Sequence, residues 1–302
     1  MLIPPYLNAG DTIAITCPAG YMPLKNIKTC VSVLQKQGYK VVIGNTVGSK
    51  SKNYFSASDA DRLAELQQFL DDKNIKAILC GRGGYGTGRI IEDINFSKFL
   101  KHPKWIIGFS DITILHTHLF EQYKTASLHA SMAGAFNNDE YKNPYVQSLL
   151  AALIGHKAQY EVAPHNFNKL GKVKGKLIGG NLTLLAHTMG TSSAPKTKNC
   201  ILFLEDLGEQ LYHIDRMMYQ LKRNGKLDEL AGLIIGGFTD MKDTERPFGK
   251  TVYEIIKDIV APYPYPVCFD FPVSHAKENY ALKHGLVHEL NISKETVTLK
   301  EL

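Results

Sequence analysis

Several features that would narrow the class at once are missing from this sequence. No apolar run approaches the ~20 residues that a bilayer-spanning helix requires; the longest lie around Leu149–Ile154 and Leu230–Phe238. Residues 1–6 carry no basic stretch, no apolar stretch and no small-residue cleavage site, so no export signal and no membrane partner are expected. Cysteine is scarce: Cys17, Cys30, Cys80, Cys200 and Cys268 stand singly, five in all, with no CxxC or Cys/His spacing. That argues against a disulfide framework and against a zinc site, and it suits a reducing cytoplasm. Cys80 and Cys200 fall in β-like runs and read as small buried apolar residues.

What is present is a chain of 302 residues, 44% hydrophobic and 21% charged. At roughly 150 residues per domain this predicts two domains, and the composition excludes intrinsic disorder. The formal charge is +6, with its densest source in Lys169, Lys172, Lys174 and Lys176 among glycines. No aromatics interleave with these lysines, so a solvated linker or edge hairpin is expected and no nucleic-acid partner. Acidic small substrates remain compatible with such a surface.

Strand and helix signals alternate through the first half. Strands are expected at Thr12–Thr16, Tyr39–Ile43, Ile75–Cys80 and Trp105–Gly108, and helices over 24–37, from Ser58 onward, near Arg89–Ile94 and over Ile112–Glu121. Ser58 and Asp61 stand at capping spacing, ahead of a stripe of Leu63, Leu66, Phe69 and Leu70. This order argues an α/β fold with a parallel sheet covered by helices on both faces. Past a helix at Val146–Leu153 the pattern weakens, which sets domains at 1–155 and 176–302 with a linker at 156–175. The second half mixes strands (Ile201–Leu204, Leu233–Ile235, Val267–Phe271) with helices (Leu182–Thr188, Tyr212–Arg223, Val252–Val260). It closes in a hairpin of Gly285–Ile292 with Thr296–Leu299.

Three strand ends carry chemistry. Trp105–Gly108 runs into Phe109-Ser110-Asp111, a turn that would expose a serine hydroxyl beside a helix N-terminus. The sequence is G-F-S-D-I rather than G-x-S-x-G, and from the local pattern a nucleophile and a mere helix cap stand level. Gly81, Gly83 and Gly86 have dinucleotide-loop spacing, but no acidic strand end follows about 20 residues on and no Walker lysine is present. No cofactor is expected; a glycine loop beside a nucleophile can instead present an N–H to a reacting carbonyl. The strand Ile201–Leu204 ends in Glu205 and Asp206, with Glu209 close behind. Alternation sends Glu205 and Asp206 to opposite faces, so only one can orient a histidine unless the strand bulges. Phe269–Ser274 delivers His275 beyond another strand. His116 and His118, two apart on a helix, point to different faces, which argues against a metal pair.

Ser110, Glu205 and His275 thus follow in the order nucleophile, acid, base. With these residues in view, the sequence resembles the serine LD-carboxypeptidase family, whose other branch holds the microcin-immunity peptidases. The matching segments are 80–86 (CGRGGYG), 107–113 (IGFSDIT), 179–185 (GGNLTLL), 204–209 (LEDLGE), 232–240 (GLIIGGFTD) and 271–282 (FPVSHAKENYAL). The resemblance implies a Rossmann-like N-terminal parallel-sheet domain and a smaller, strand-rich α/β C-terminal domain. It also implies a cytoplasmic homodimer and a Ser110–His275–Glu205 triad that draws on both domains. The oxyanion hole would be the backbone N–H of Asp111 and of Gly84. Ser274 stands where the family usually has glycine and Lys283 where proline is common; neither change removes a catalytic group.

The activity implied is release of D-alanine from a murein tetrapeptide in cell-wall recycling. A first alternative is hydrolysis of a peptidyl-nucleotide antibiotic, which would need an aromatic platform; the lone Trp105 sits in a strand expected to be buried. A second is a peptide- or sugar-binding module without catalysis.

Overall fold

Short strands of three to six residues, most of them alternating with helices, build the first sheet. The computed structural model describes Met1–Leu302 throughout, and the chain divides into one unit of Met1–His156 with Tyr280–Lys283 and another of Lys157–Asn279 with His284–Leu302. The first unit holds β1 (Thr12–Thr16), α1 (Lys28–Lys36), β2 (Lys40–Ile43), α2 (Asp59–Asp71), β3 (Ile75–Cys80), α3 (Ser97–Lys101), β4 (Trp105–Gly108), α4 (Thr113–Tyr123), β5 (Ser127–His129) and α5 (Pro144–Leu153). The second holds β6 (Gln159–Val162), β7 (Gly171–Asn181), α6 (Leu182–Thr188), β8 (Cys200–Leu207), α7 (Leu211–Arg223), β9 (Gly232–Thr239), α8 (Val252–Val260) and β10 (Val267–Cys268). After β11 (Leu282–His284), the second unit ends in β12 (Val287–Ile292) and β13 (Val297–Glu301).

The first sheet has the order β11-β5-β4-β3-β1-β2, with β2, β1, β3, β4 and β5 all parallel. The order in which strands are added changes direction between β1 and β3, the switch point at whose carboxyl ends ligands of such sheets usually bind. Those loops touch: the Gly20 N–H donates to the Gly83 carbonyl at 3.0 Å. Helix α2 starts where the capping signal places it, Ser58 accepting from the Asp61 N–H at 3.1 Å. It ends against the buried Lys104 ammonium, which donates to the carbonyls of Phe69, Leu70 and Asp72 and satisfies groups that a helix C-terminus leaves open.

The second sheet, β10-β9-β8-β7-β12-β13-β6, is parallel from β10 to β7 and antiparallel from β7 to β6. Its core comes from Ile201–Leu204, Leu233–Ile235, Leu290 and Leu299, all fully buried or nearly so.

Four expectations are refined here. Residues 24–37 form a 3-10 turn at Leu24–Ile27 before α1. In place of a helix near Arg89–Ile94 there are two 3-10 turns, Thr87–Arg89 and Ile91–Asp93. Residues 156–175 contain β6 and the first half of β7. The alternation of Lys172, Lys174 and Lys176 with half-buried partners is that of a strand with one wet face, and Lys172 and Lys174 pair with Glu289 of β12. Finally, β10 stops at Cys268, because the Phe269 N–H turns to the Asn168 side chain at 2.7 Å.

Candidate active site

The turn after β4 is built around Ser110. Phe109 is extended, and Ser110 takes φ +61° before a 3-10 turn leads into α4. A side chain in this left-handed region costs roughly 1–2 kcal/mol, and such strain collects where a scaffold must aim a group. Gly108 is required just before it: a Cβ there would stand 2.9 Å from Ile112 Cγ1 and 3.2 Å from Cys80 Cβ. His116 braces the same turn. Burial pulls its pKa down to about 4, so the ring is neutral, and Nε2–H donates to the Gly108 carbonyl at 2.9 Å while Nδ1 meets Ser127 Oγ at 2.8 Å. Both nitrogens are engaged within the fold.

The glycine loop after β3 lies against this turn. A Cβ on Gly83 would stand 2.9 Å from Ser110 Cβ, 3.2 Å from its Oγ and 3.4 Å from the Asp111 amide nitrogen. The Gly83 carbonyl faces Gly20; the trans peptide therefore points the Gly84 N–H the opposite way, and Gly84 itself has φ +97°. Asp111 is buried, and its carboxylate accepts from the Thr87 N–H at 2.8 Å, tying loop to turn. Burial raises the Asp111 pKa against the lowering effect of that bond. Arg62 holds the other side, donating to the carbonyls of Pro18 and Gly86 from a fully buried position on α2. Sequence reading placed Leu63 in the apolar stripe of α2; the buried positions are Arg62, Glu65, Leu66, Phe69 and Leu70. A charge with helical spacing inside an apolar stripe was the available signal for Arg62.

In the second unit, β8 runs through both acids with a register irregularity against β9 between Leu204 and Asp206. Glu205 is fully buried, and its Oε2 stands 2.5 Å from His275 Nδ1. Burial depresses the His275 pKa, but the hydrogen bond and charge of Glu205, with the charge of Asp206, outweigh it and the net shift is upward. Asp206 turns away: its oxygens accept from Asn181 Nδ2 at 2.7 Å, Thr183 Oγ1 at 2.8 Å, and the N–H groups of Thr183 and Leu207 at 2.9 and 2.8 Å. Burial, then repulsion from Glu205, lifts its pKa to about 6 despite these donors. Glu209 pairs with His213 at 2.7 Å and reaches Thr183 at 3.3 Å.

Ser274 shapes the His275 loop, donating to the Glu278 carbonyl at 2.9 Å and accepting from the Ala276 N–H at 3.0 Å. Lys283 donates to the His156 carbonyl at 2.9 Å and lies over the Tyr6 ring. Trp105 is buried, stacked on Tyr6 at 5.6 Å and donating to the Pro5 carbonyl at 3.0 Å. It is core.

The chain is similar to several known proteins. Residues 13–130 match the LD-carboxypeptidase N-terminal domain and residues 174–290 the LD-carboxypeptidase C-terminal domain. A probable murein peptide carboxypeptidase of Bacillus subtilis is 32% identical over 98% of this chain and 94% of its own length. The murein tetrapeptide carboxypeptidase of Pseudomonas aeruginosa is 28% identical over 90% and 91%. The crystal structure of a muramoyltetrapeptide carboxypeptidase from Oxalobacter formigenes superposes with a TM-score of 0.87 at 27% identity, covering 96% of this chain and 98% of that one. The microcin C7 self-immunity protein, at 22% identity and a TM-score of 0.86 over 100% and 99% of the two chains, shares the fold. The chain belongs to the LD-carboxypeptidase family and is one of its serine-type hydrolases.

Proposed function

We propose that this enzyme releases the terminal D-alanine of murein tetrapeptides in the cytoplasm, in the recycling of cell-wall peptides, through a triad of Ser110, His275 and Glu205. The observation that carries the reading is the pair that the buried Glu205 makes with the half-buried His275 at 2.5 Å. A carboxylate on Nδ1 fixes the tautomer whose Nε2 carries the lone pair that takes up a proton, and it stabilises the imidazolium that follows.

His275 takes the Ser110 proton as Oγ attacks the carbonyl before the terminal residue. The oxyanion is received by the N–H of Asp111 and of Gly84, each worth roughly 10²- to 10³-fold in rate. Imidazolium then protonates the leaving amine, D-alanine departs, and water activated by His275 hydrolyses the acyl-enzyme. The strained φ of Ser110 and the bare α-carbon of Gly83 against it support the first two roles. Nothing in these steps calls for a cofactor.

A peptidyl-nucleotide substrate would favour an exposed aromatic platform; Trp105, held in the core by Tyr6 and Pro5, does not supply one, and the exposed aromatics at the glycine loop are Tyr54 and Tyr85. Incubation with a murein tetrapeptide tests the proposal: D-alanine should appear with the wild type and not with Ser110→Ala. Tetrapeptide binding without release by the wild type would overturn the proposed activity.

A further inference from the structure

A carboxypeptidase must tell the end of a chain from its middle, and the end is marked by a free carboxylate. Consecutive α-carbons lie about 3.8 Å apart, so whatever reads that carboxylate stands about one residue length from the attacking serine. The glycine loop meets this condition. Its Gly83 α-carbon faces Ser110 directly, and the residue before it is Arg82.

The first unit contains three arginines, Arg62, Arg82 and Arg89. Arg62 and Arg89 are both paired with Asp59, and Arg62 is buried besides. Arg82 has no carboxylate partner. Its side chain is exposed, its stem lies along Gly20, and Nη1 donates to the Tyr21 carbonyl at 3.0 Å. That bond anchors one edge of the guanidinium to the loop after β1 and leaves further N–H donors of the planar fork for a ligand. A guanidinium of this kind is suited to bidentate recognition of a carboxylate. Its neighbours on both sides are glycines, so no other side chain competes for the position.

We propose that Arg82 is the specificity residue that reads the terminal carboxylate of the departing amino acid. This rests on the carboxypeptidase reading above and adds the group that makes the cleavage exclusive to chain ends. Hydrogen bonds to a charged group contribute enough that losing one partner should lower kcat/KM roughly 10- to 100-fold, chiefly through KM.

The test is a cycle of two enzymes and two substrates: wild type and Arg82→Ala, each with the murein tetrapeptide and with the same peptide carrying a C-terminal carboxamide. Wild type should lose roughly 10- to 100-fold in kcat/KM on the amide. Arg82→Ala should show the same loss on the acid, and little further loss on the amide. Arg82→Lys, which keeps the charge without the fork, should fall between, and thermal melts of both variants should match the wild type. Equal losses on acid and amide in Arg82→Ala, or no loss on either, would overturn the assignment of Arg82. Failure of the wild type to cleave the acid at all would instead overturn the carboxypeptidase reading on which it rests.

Discussion

Glu205 and Asp206 are neighbours on β8, yet their carboxylates serve opposite faces of the strand: Glu205 holds His275 at 2.5 Å and Asp206 holds Asn181 at 2.7 Å. Side chains on a strand alternate, and the irregularity between Leu204 and Asp206 leaves that alternation in place. Glu205→Gln should therefore lower kcat by up to ~10⁴-fold, the loss expected when a catalytic histidine loses its orienting acid. Asp206→Asn and Glu209→Gln should keep most activity at neutral pH. Steady-state kinetics of the three variants check the ranking; the reverse order would move the triad acid off Glu205.

In the proposed mechanism the acid limb of the pH profile reports His275. As the proposed base it must be neutral, and the net shift holds its pKa above the ordinary 6.5. Activity should thus be full at higher pH and fall as pH drops through a value above 6.5. Asp206 contributes to that upward shift, so Asp206→Asn should move the limb to lower pH. A kcat/KM profile of both enzymes measures this; a wild-type limb below 6.5 would contradict the assignment.

Ser110, the proposed nucleophile, also carries a backbone cost. Ser110→Ala and Ser110→Gly should both lack turnover, and both should fold. Because φ is +61° and glycine accepts that region freely, the glycine variant should melt no lower than the alanine variant. Calorimetry beside the activity assay separates the two effects.

Gly83 and Gly86 should fail differently when replaced by alanine. At Gly83 the new Cβ would press on Ser110, and kcat should drop by roughly 10²-fold or more, the scale of a misplaced reacting group, with a modest change in melting temperature. At Gly86, φ is +146° and the Cβ would stand 2.8 Å from Arg62 Nη1 and 3.2 Å from Ala19 Cα. That variant should lose stability as well as activity.

Much of this was legible from residue order. The apolar strand Trp105–Gly108 announced the Ser110 turn, and Ile201–Leu204 announced a fixed backbone under Glu205. His275 was not legible from local chemistry, being one of eleven histidines; the segment around it pointed to it only through a family likeness. Strand β7 was obscured because its wet face is lysine and its other positions include glycine, so polarity hid a period of two. Strand β5 has three residues, too few to show any period. Arg62 and His116 escaped because buried polar groups look like surface ones until their partners, here the carbonyls of Pro18, Gly86 and Gly108, are in place.

Stereochemistry at the cleaved end tests the central claim most directly. The wild-type enzyme is given a murein tetrapeptide ending in D-alanine and, separately, the analogue ending in L-alanine, and the released amino acid is quantified over time. The account predicts D-alanine release from the first, abolished by Ser110→Ala, and no comparable release from the second. Equal release from both, or release from the first that survives Ser110→Ala, would contradict it.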